Sequence, residues 1–150
     1  MDLYSIALFA HIVGAVLVFV LLTVEGLGLR FGFAYAPLNR ILGPISAVAI
    51  LIPGIYMMAV QWGWAGWVVV GITTYVLIAA IGAYTGINVM RGRINRQAAI
   101  ASWLVRIGMA LGVLFDMTVK PNLFISAGVV LVVAVIAGGS GLVLRRQVAS

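Results

Sequence analysis

Cysteine is absent from this 150-residue chain, and charged residues are scarce. Without cysteine the protein has no disulfide, no thiolate metal ligand and no quinone–disulfide chemistry, whatever its compartment. Only 8% of the residues are charged, whereas 65% are hydrophobic and the mean hydropathy is +1.25. A soluble domain of this size cannot hide so much apolar surface. The composition therefore predicts one domain, residues 1–150, with lipid as its solvent.

Acidic residues and histidine are also rare. The chain has three acidic residues, nine basic residues and one histidine, His11, which gives a net charge of +6. In a soluble protein this balance would indicate nucleic acid. Here the basic residues lie at the ends of apolar runs, so they indicate membrane topology and contacts with anionic lipid, and we expect no nucleic-acid partner.

The chain consists of five apolar runs, each long enough for a transmembrane helix. They predict an all-α integral membrane bundle with spans at residues 3–29, 41–61, 66–90, 98–119 and 122–144. The first run is too long for a signal peptide and follows Asp2 rather than a basic segment, so we expect it to be retained. Arginines gather on alternate sides, which predicts the N-terminus outside and the C-terminus inside: Arg30, Arg40, Arg91, Arg93, Arg96, Arg145 and Arg146.

Ionisable residues inside the spans are the best indicators of function. In the first span His11 and Glu25 share one helical stripe, and Gly14 beside His11 leaves space for a flat ligand or a neighbouring helix. A buried histidine can also simply donate a hydrogen bond to a carbonyl group. We favour a functional role for His11, as a cofactor or metal ligand.

The fourth span carries Arg106, Asp116 and Lys120 on one stripe. If this stripe faces the first span, it predicts an inner pair of Glu25 with Arg106, which is either a structural clamp or functional. It also predicts an outer cluster of His11 with Asp116 and Lys120. Asp116 and Lys120 are four residues apart and are expected to pair within the helix.

Other polar and sulfur-containing side chains extend this constellation. On the third span Thr73, Tyr84 and Asn88 lie roughly on one face and are expected to complete a polar lining. Thioethers are possible ligands of copper or heme, although methionine is more often core filler; the candidates are Met57, Met58, Met109 and Met117. Pro53 falls near the middle of the second span, where it frees the carbonyl group of Ala49.

Glycines at small-xxx-small spacing predict close helix packing, which we expect within the chain, with dimerisation as the alternative. The two pairs are Gly82 with Gly86 and Gly108 with Gly112.

Two local patterns, FAHIVGAVL around His11 and FDMTVKPNL ending at Lys120–Pro121, carry a resemblance. The chain resembles a family of small bacterial integral membrane proteins classed as a domain of unknown function. More distantly, it is similar to the CopD copper-resistance proteins and the HemJ-type protoporphyrinogen oxidases. The resemblance implies a bacterial cytoplasmic (inner) membrane protein that binds heme b through His11, with Lys120 as a second inherited position. The chain lacks the acidic and tryptophan-rich signatures of the HemJ-type proteins, so it does not imply their activity.

Three functions compete. The first is a redox or cofactor protein that binds heme or a related porphyrin through His11, with Met109, Met117 or Lys120 as a second ligand. The second is a non-catalytic accessory or assembly subunit of a larger membrane complex. The expected partners are membrane lipid and either a second copy of the chain, in a homo-oligomer, or a partner in a membrane complex. The third is copper or proton handling through His11, Asp116 and the methionines, although a copper site usually has more than one histidine ligand.

Overall fold

The computed structural model describes the backbone of residues 2–148 and the side chains of residues 2–141. Helices account for every regular element in that range: α1 (Leu3–Phe31), α2 (Ala36–Met57), a π-helical turn (Met58–Trp62), α3 (Gly66–Met90), α4 (Arg96–Val119) and α5 (Leu123–Val148). Five helices are long and apolar enough to cross a membrane. The prediction of an all-α membrane bundle with five spans is confirmed, whereas the predicted orientation stays a prediction.

The chain divides into two compact units, an N-terminal unit that ends at Ala65 and a C-terminal unit that begins at Gly66. The prediction of a single domain stays a prediction.

In the N-terminal unit, α1 and α2 pack as an antiparallel pair. Asp2 caps α1, because its Oδ1 atom accepts a hydrogen bond of 2.8 Å from the backbone N–H of Ser5. Hydrogen bonds from the side chain and then the backbone of Ser5 hold the pKa of the Asp2 carboxyl below its ordinary value. Gly32, at φ 80°, ends the helix in the left-handed conformation that glycine adopts without steric cost.

The second helix begins at Ala36 rather than at the predicted residue 41. Proline is favoured in the first helical turn, because its missing N–H has no helical partner there, so Pro37 starts the helix instead of delaying it. Arg40 therefore lies within the helix and not in the loop. At its other end α2 passes into the π-helical turn, where Nε1 of Trp62 donates a hydrogen bond of 3.1 Å to the hydroxyl of Tyr4.

In the C-terminal unit, α4 packs against both α3 and α5. Glycine makes the closest approach possible: a Cβ atom at Gly108 or Gly112 would lie 2.7 Å from an atom of the α5 backbone. The prediction of tight packing at this glycine pair is confirmed. Of the other pair, Gly82 lies beside Arg106, whereas a Cβ at Gly86 would meet nothing within 4 Å.

Apolar side chains remain exposed along every helix, as expected of a surface in contact with hydrocarbon. Examples from each helix are Phe9 at 68%, Ile52 at 64%, Val76 at 51%, Leu114 at 52% and Val135 at 71% exposure.

Candidate functional site

His11 on α1 is held by the backbone of α2. Its Nδ1 atom lies 2.9 Å from the carbonyl oxygen of Ile50. A carbonyl oxygen only accepts hydrogen bonds, so Nδ1 must carry the proton and donate it. The neutral ring therefore has a lone pair on Nε2, and no residue in the described part of the chain hydrogen-bonds to that atom.

Two glycines shape the surroundings of the ring. A Cβ atom at Gly54 would lie 3.2 Å from both Cε1 and Nδ1 of His11, so the imidazole packs directly on the α2 backbone. A Cβ atom at Gly14 would lie 2.8 Å from the carbonyl carbon of Ala49. The space predicted beside Gly14 is therefore filled by the neighbouring helix and not left for a flat ligand.

The sequence signal for this arrangement was Pro53. Proline removes the donor that would normally serve the carbonyl group of Ala49. His11 hydrogen-bonds to the next carbonyl, that of Ile50, in the same turn of α2. The imidazole thus joins α1 to the turn of α2 that ends at Pro53.

An apolar groove opens between the two helices on the N-terminal side of His11. It has a volume of about 330 Å³, and its lining residues are Leu3, Ile6, Ala7, Ala10, Ile52, Pro53 and Tyr56. This volume lies in the lower part of the range of about 300–1,000 Å³ for ligand pockets.

A second set of polar groups lies between α3 and α4. The hydroxyls of Thr85 and Ser102 form a hydrogen bond of 2.7 Å across the helix interface. Arg106, one turn further along α4, is only 4% exposed, and its Nη1 atom would lie 3.0 Å from a Cβ at Gly82. Asn88 is buried and donates to the carbonyl of Tyr84 in its own helix.

Of the three residues predicted to line α3, only Asn88 is buried. Tyr84 is 66% exposed and Thr73 is exposed, so neither belongs to the buried polar set. Thr85 takes this position instead, together with the buried Thr74. The spacing alone could not separate adjacent faces, because α3 is apolar on all sides and shows no clear polar stripe.

Asp116 lies near the end of α4 and is completely buried. Neither carboxyl oxygen has a hydrogen-bond partner among the described residues. The predicted pair with Lys120 is wrong, because Lys120 leaves the helix in the left-handed conformation and its Nζ atom lies 5.7 Å from the ring centre of Trp67. Residues four apart meet only while the helix continues.

The remaining candidates lie on separate elements. Met109 is buried in α4, and the Cε atom of Met117 lies 2.5 Å from the Cβ position at Gly71 on α3. Glu25 is buried on α1 at 6% exposure. Its pairing with Arg106, and the cluster of His11 with Asp116 and Lys120, stay predictions.

Among the described residues, no group of three or more histidine, cysteine, aspartate and glutamate side chains could hold a metal ion. Comparison with protein-family models, curated proteins and solved structures found no match. The resemblance to the CopD and HemJ-type proteins stays a prediction.

Proposed function

We propose that the protein binds a porphyrin of the heme b type in the membrane, with Nε2 of His11 as the axial ligand of the iron. One observation carries this proposal: Nδ1 of His11 donates to the carbonyl oxygen of Ile50. In metal-binding histidines the second ring nitrogen usually donates to a carbonyl or a carboxylate, which selects the tautomer and orients the ring. His11 has this arrangement, with the lone pair of Nε2 left for a ligand.

A porphyrin suits a single histidine better than a bare metal ion does. The macrocycle brings four nitrogen ligands of its own, so the protein needs to supply only one more. A copper or zinc ion would need several protein ligands, and a single imidazole supplies only one.

The residues around His11 fit this role. Gly54 keeps the ring against the α2 backbone, and the carbonyl of Ile50 holds its orientation. The groove beside Ala7, Ala10 and Pro53 offers an apolar surface to a flat apolar ring. When bound, the heme would supply one-electron chemistry, and the hydrogen bond between His11 and Ile50 together with the apolar groove would tune the potential.

We propose His11 as the only protein ligand. Met117 packs against Gly71, Met109 is buried, and Lys120 lies over the Trp67 ring. These contacts within the C-terminal unit engage all three side chains that the sequence offered as a second ligand. With His11 as its only protein ligand, the heme would be able to bind a small molecule as well as transfer electrons.

Absorption spectra of the gently purified protein, oxidised and then reduced with dithionite, test the proposal. We expect a Soret band that disappears in His11→Ala and returns when free imidazole is added to that variant. Ile12→Ala is the matched control, because Ile12 is the next residue of α1 and is 51% exposed. A His11→Ala protein that keeps its Soret band would contradict the proposal. So would a folded wild-type protein that takes up no added hemin, a result that would favour the accessory-subunit hypothesis.

We also propose that the protein lies in a bacterial cytoplasmic membrane with its N-terminus outside. The arginines at the helix ends on either side of the first loop, those around the third loop and those of the tail support this orientation. Because the chain has no cysteine, single cysteines report sidedness directly. A membrane-impermeant maleimide should label Gln61→Cys in intact cells but Arg93→Cys only after permeabilisation; the reverse pattern would contradict the orientation.

A further inference from the structure

Asp116 continues a regular series of contacts between α4 and α5. A Cβ at Gly108 would meet Cα of Ala134 at 2.8 Å, and one at Gly112 would meet Cα of Val130 at 2.7 Å. Each step moves one turn forward on α4 and one turn back on α5. The next step places Asp116 opposite Ser126, at the end of a seam where the helix backbones are in contact.

The side chains of this pair are fully buried. Asp116 and Ser126 each have 0% exposure. The register of the contacts between α4 and α5 places the hydroxyl of Ser126 opposite the carboxyl group, but the two groups make no hydrogen bond. Among the described residues, the carboxyl oxygens of Asp116 and the hydroxyl oxygen of Ser126 are left without a hydrogen-bond partner.

Among the described side chains of α3, α4 and α5, no cation points at Asp116 and Ser126. In the described side chains, α3 and α5 contain no lysine, arginine or histidine, and their titratable groups are Tyr75 and Tyr84. On α4 itself, Arg106 lies roughly 15 Å away along the helix axis and packs beside Gly82. Lys120 is directed to the ring of Trp67.

An ionised carboxylate here would be buried with no donor from the described residues other than one hydroxyl, which is costly in an apolar interior. A proton removes the charge and adds a donor. The acid group then donates to Ser126 Oγ or accepts from it, so each group gains a partner after a small rotation.

We propose that Asp116 and Ser126 form a proton-binding site inside the membrane, in which the carboxyl group of Asp116 holds one proton and shares it with the hydroxyl of Ser126. The site belongs to the C-terminal unit and is independent of heme binding at His11. A sodium ion is a poorer ligand, because hard cations need several oxygen ligands and this step offers two side chains.

Infrared spectroscopy of the full-length protein in lipid nanodiscs at neutral pH tests the proposal. Asp2 and Asp116 are the only aspartates in the sequence. Labelling aspartate side chains with carbon-13 therefore identifies their bands without any substitution. We expect a protonated carboxylic acid band that shifts on labelling and is missing in Asp116→Asn. The labelled wild type keeps the test valid even where Asp116→Asn does not fold.

Substitution of the partner hydroxyl completes the experiment. Ser126→Ala should move the band to higher frequency, because the acid loses its hydrogen bond. Ser140→Ala is the matched control, since Ser140 lies on the same helix and donates 2.7 Å to the carbonyl of Ala137 in its own helix. The proposal is overturned if no protonated aspartate band exists at neutral pH, if Ser126→Ala leaves it unmoved, or if sodium at constant pH abolishes it.

Discussion

The two units treat their buried polar side chains in opposite ways. In the N-terminal unit His11 crosses to α2 and binds the carbonyl of Ile50. In the C-terminal unit Asp116 lies in the interface between α4 and α5 and has no hydrogen-bond partner among the described residues. A neutral imidazole can satisfy one nitrogen and keep the other for a ligand, whereas a carboxylate needs a proton or a donor before it can be buried.

The difference has a structural origin. Pro53 cannot donate to the carbonyl of Ala49, and His11 donates to the neighbouring carbonyl of Ile50 in the same turn of α2. The α4–α5 seam has no proline in its packed part, so its carbonyls remain engaged within the helices. Asp116 is therefore left with side-chain hydroxyls as partners.

Alanine in place of one backbone-contacting glycine of each unit should have the largest effects. A Cβ at Gly112 would lie 2.7 Å from the backbone of Val130, and one at Gly14 would lie 2.8 Å from that of Ala49. Backbone cannot move aside as a side-chain tip does, so each substitution should destabilise its unit by about 1–3 kcal/mol. Unfolding in detergent, followed by circular dichroism, measures this loss.

The two substitutions should also separate the two sites. Gly14→Ala should weaken heme binding and leave the aspartate band unchanged, whereas Gly112→Ala should move that band and leave the Soret band unchanged. Gly128→Ala is the control, because a Cβ there meets nothing within 4 Å. If either variant changes both spectra, the two sites are coupled and the contrast between the units fails.

A double-mutant cycle on Thr85 and Ser102 tests whether a side-chain pair in the C-terminal unit is stabilising. Their hydroxyls lie 2.7 Å apart across the α3–α4 interface. Measured hydrogen bonds between membrane helices average about 0.6 kcal/mol and reach about 1.7. We expect the coupling free energy of Thr85→Ala with Ser102→Ala to fall in this range.

The control for that cycle is Thr23→Ala with Ser102→Ala. Thr23 is exposed and donates only to the carbonyl of Phe19 in its own helix. No coupling is expected there, and an equal coupling in both cycles would show that the hydroxyl contact is not its source.

Much of the fold follows from the sequence because a membrane span needs a long apolar run. All five runs became helices, and Gly108 with Gly112 marked the close seam between α4 and α5. The start of α2 at Ala36 does not follow from the apolar pattern, because the polar residues Asn39 and Arg40 are typical of a loop. A helix can nevertheless extend past the hydrocarbon core.

The candidate sites were harder to predict. His11 and Asp116 stood out as ionisable groups at membrane depth. Their partners did not: the Ile50 carbonyl is backbone, and Ser126 is a small residue of a kind that often only packs. Apolar helices with weak periodicity give little information on which face is buried. The spacing therefore predicts a buried Tyr84, whereas the structure buries Thr85.

Lys120 provides a smaller test, at the helix end next to the proposed proton site. It is the only non-glycine residue with a positive φ among the described residues, at 52°. This conformation costs roughly 1–2 kcal/mol, and glycine removes that cost. Lys120→Gly should therefore be more stable to unfolding than Lys120→Gln by about 1 kcal/mol, since both lose the contact with Trp67. Equal stabilities would mean that the left-handed turn is not strained.

The smallest effect concerns Asp2, the exposed counterpart of Asp116. Hydrogen bonds from Ser5 lower the pKa of Asp2 in the folded state, so its stabilising effect is complete above its unfolded pKa and is lost as the pH falls through the folded one. The amide resonance of Ser5 should titrate in that acid range, and Asp2→Asn should keep the cap but remove the titration.

One acid titration, followed in the infrared spectrum of the carbon-13-labelled protein, should compare the two aspartates. The Asp2 carboxylate band should be replaced by an acid band, whereas the Asp116 acid band should stay constant because that group already holds its proton. If the two aspartates titrate together, the buried carboxyl of Asp116 is not sealed, and the contrast between a solvated and a buried carboxyl in this chain is wrong.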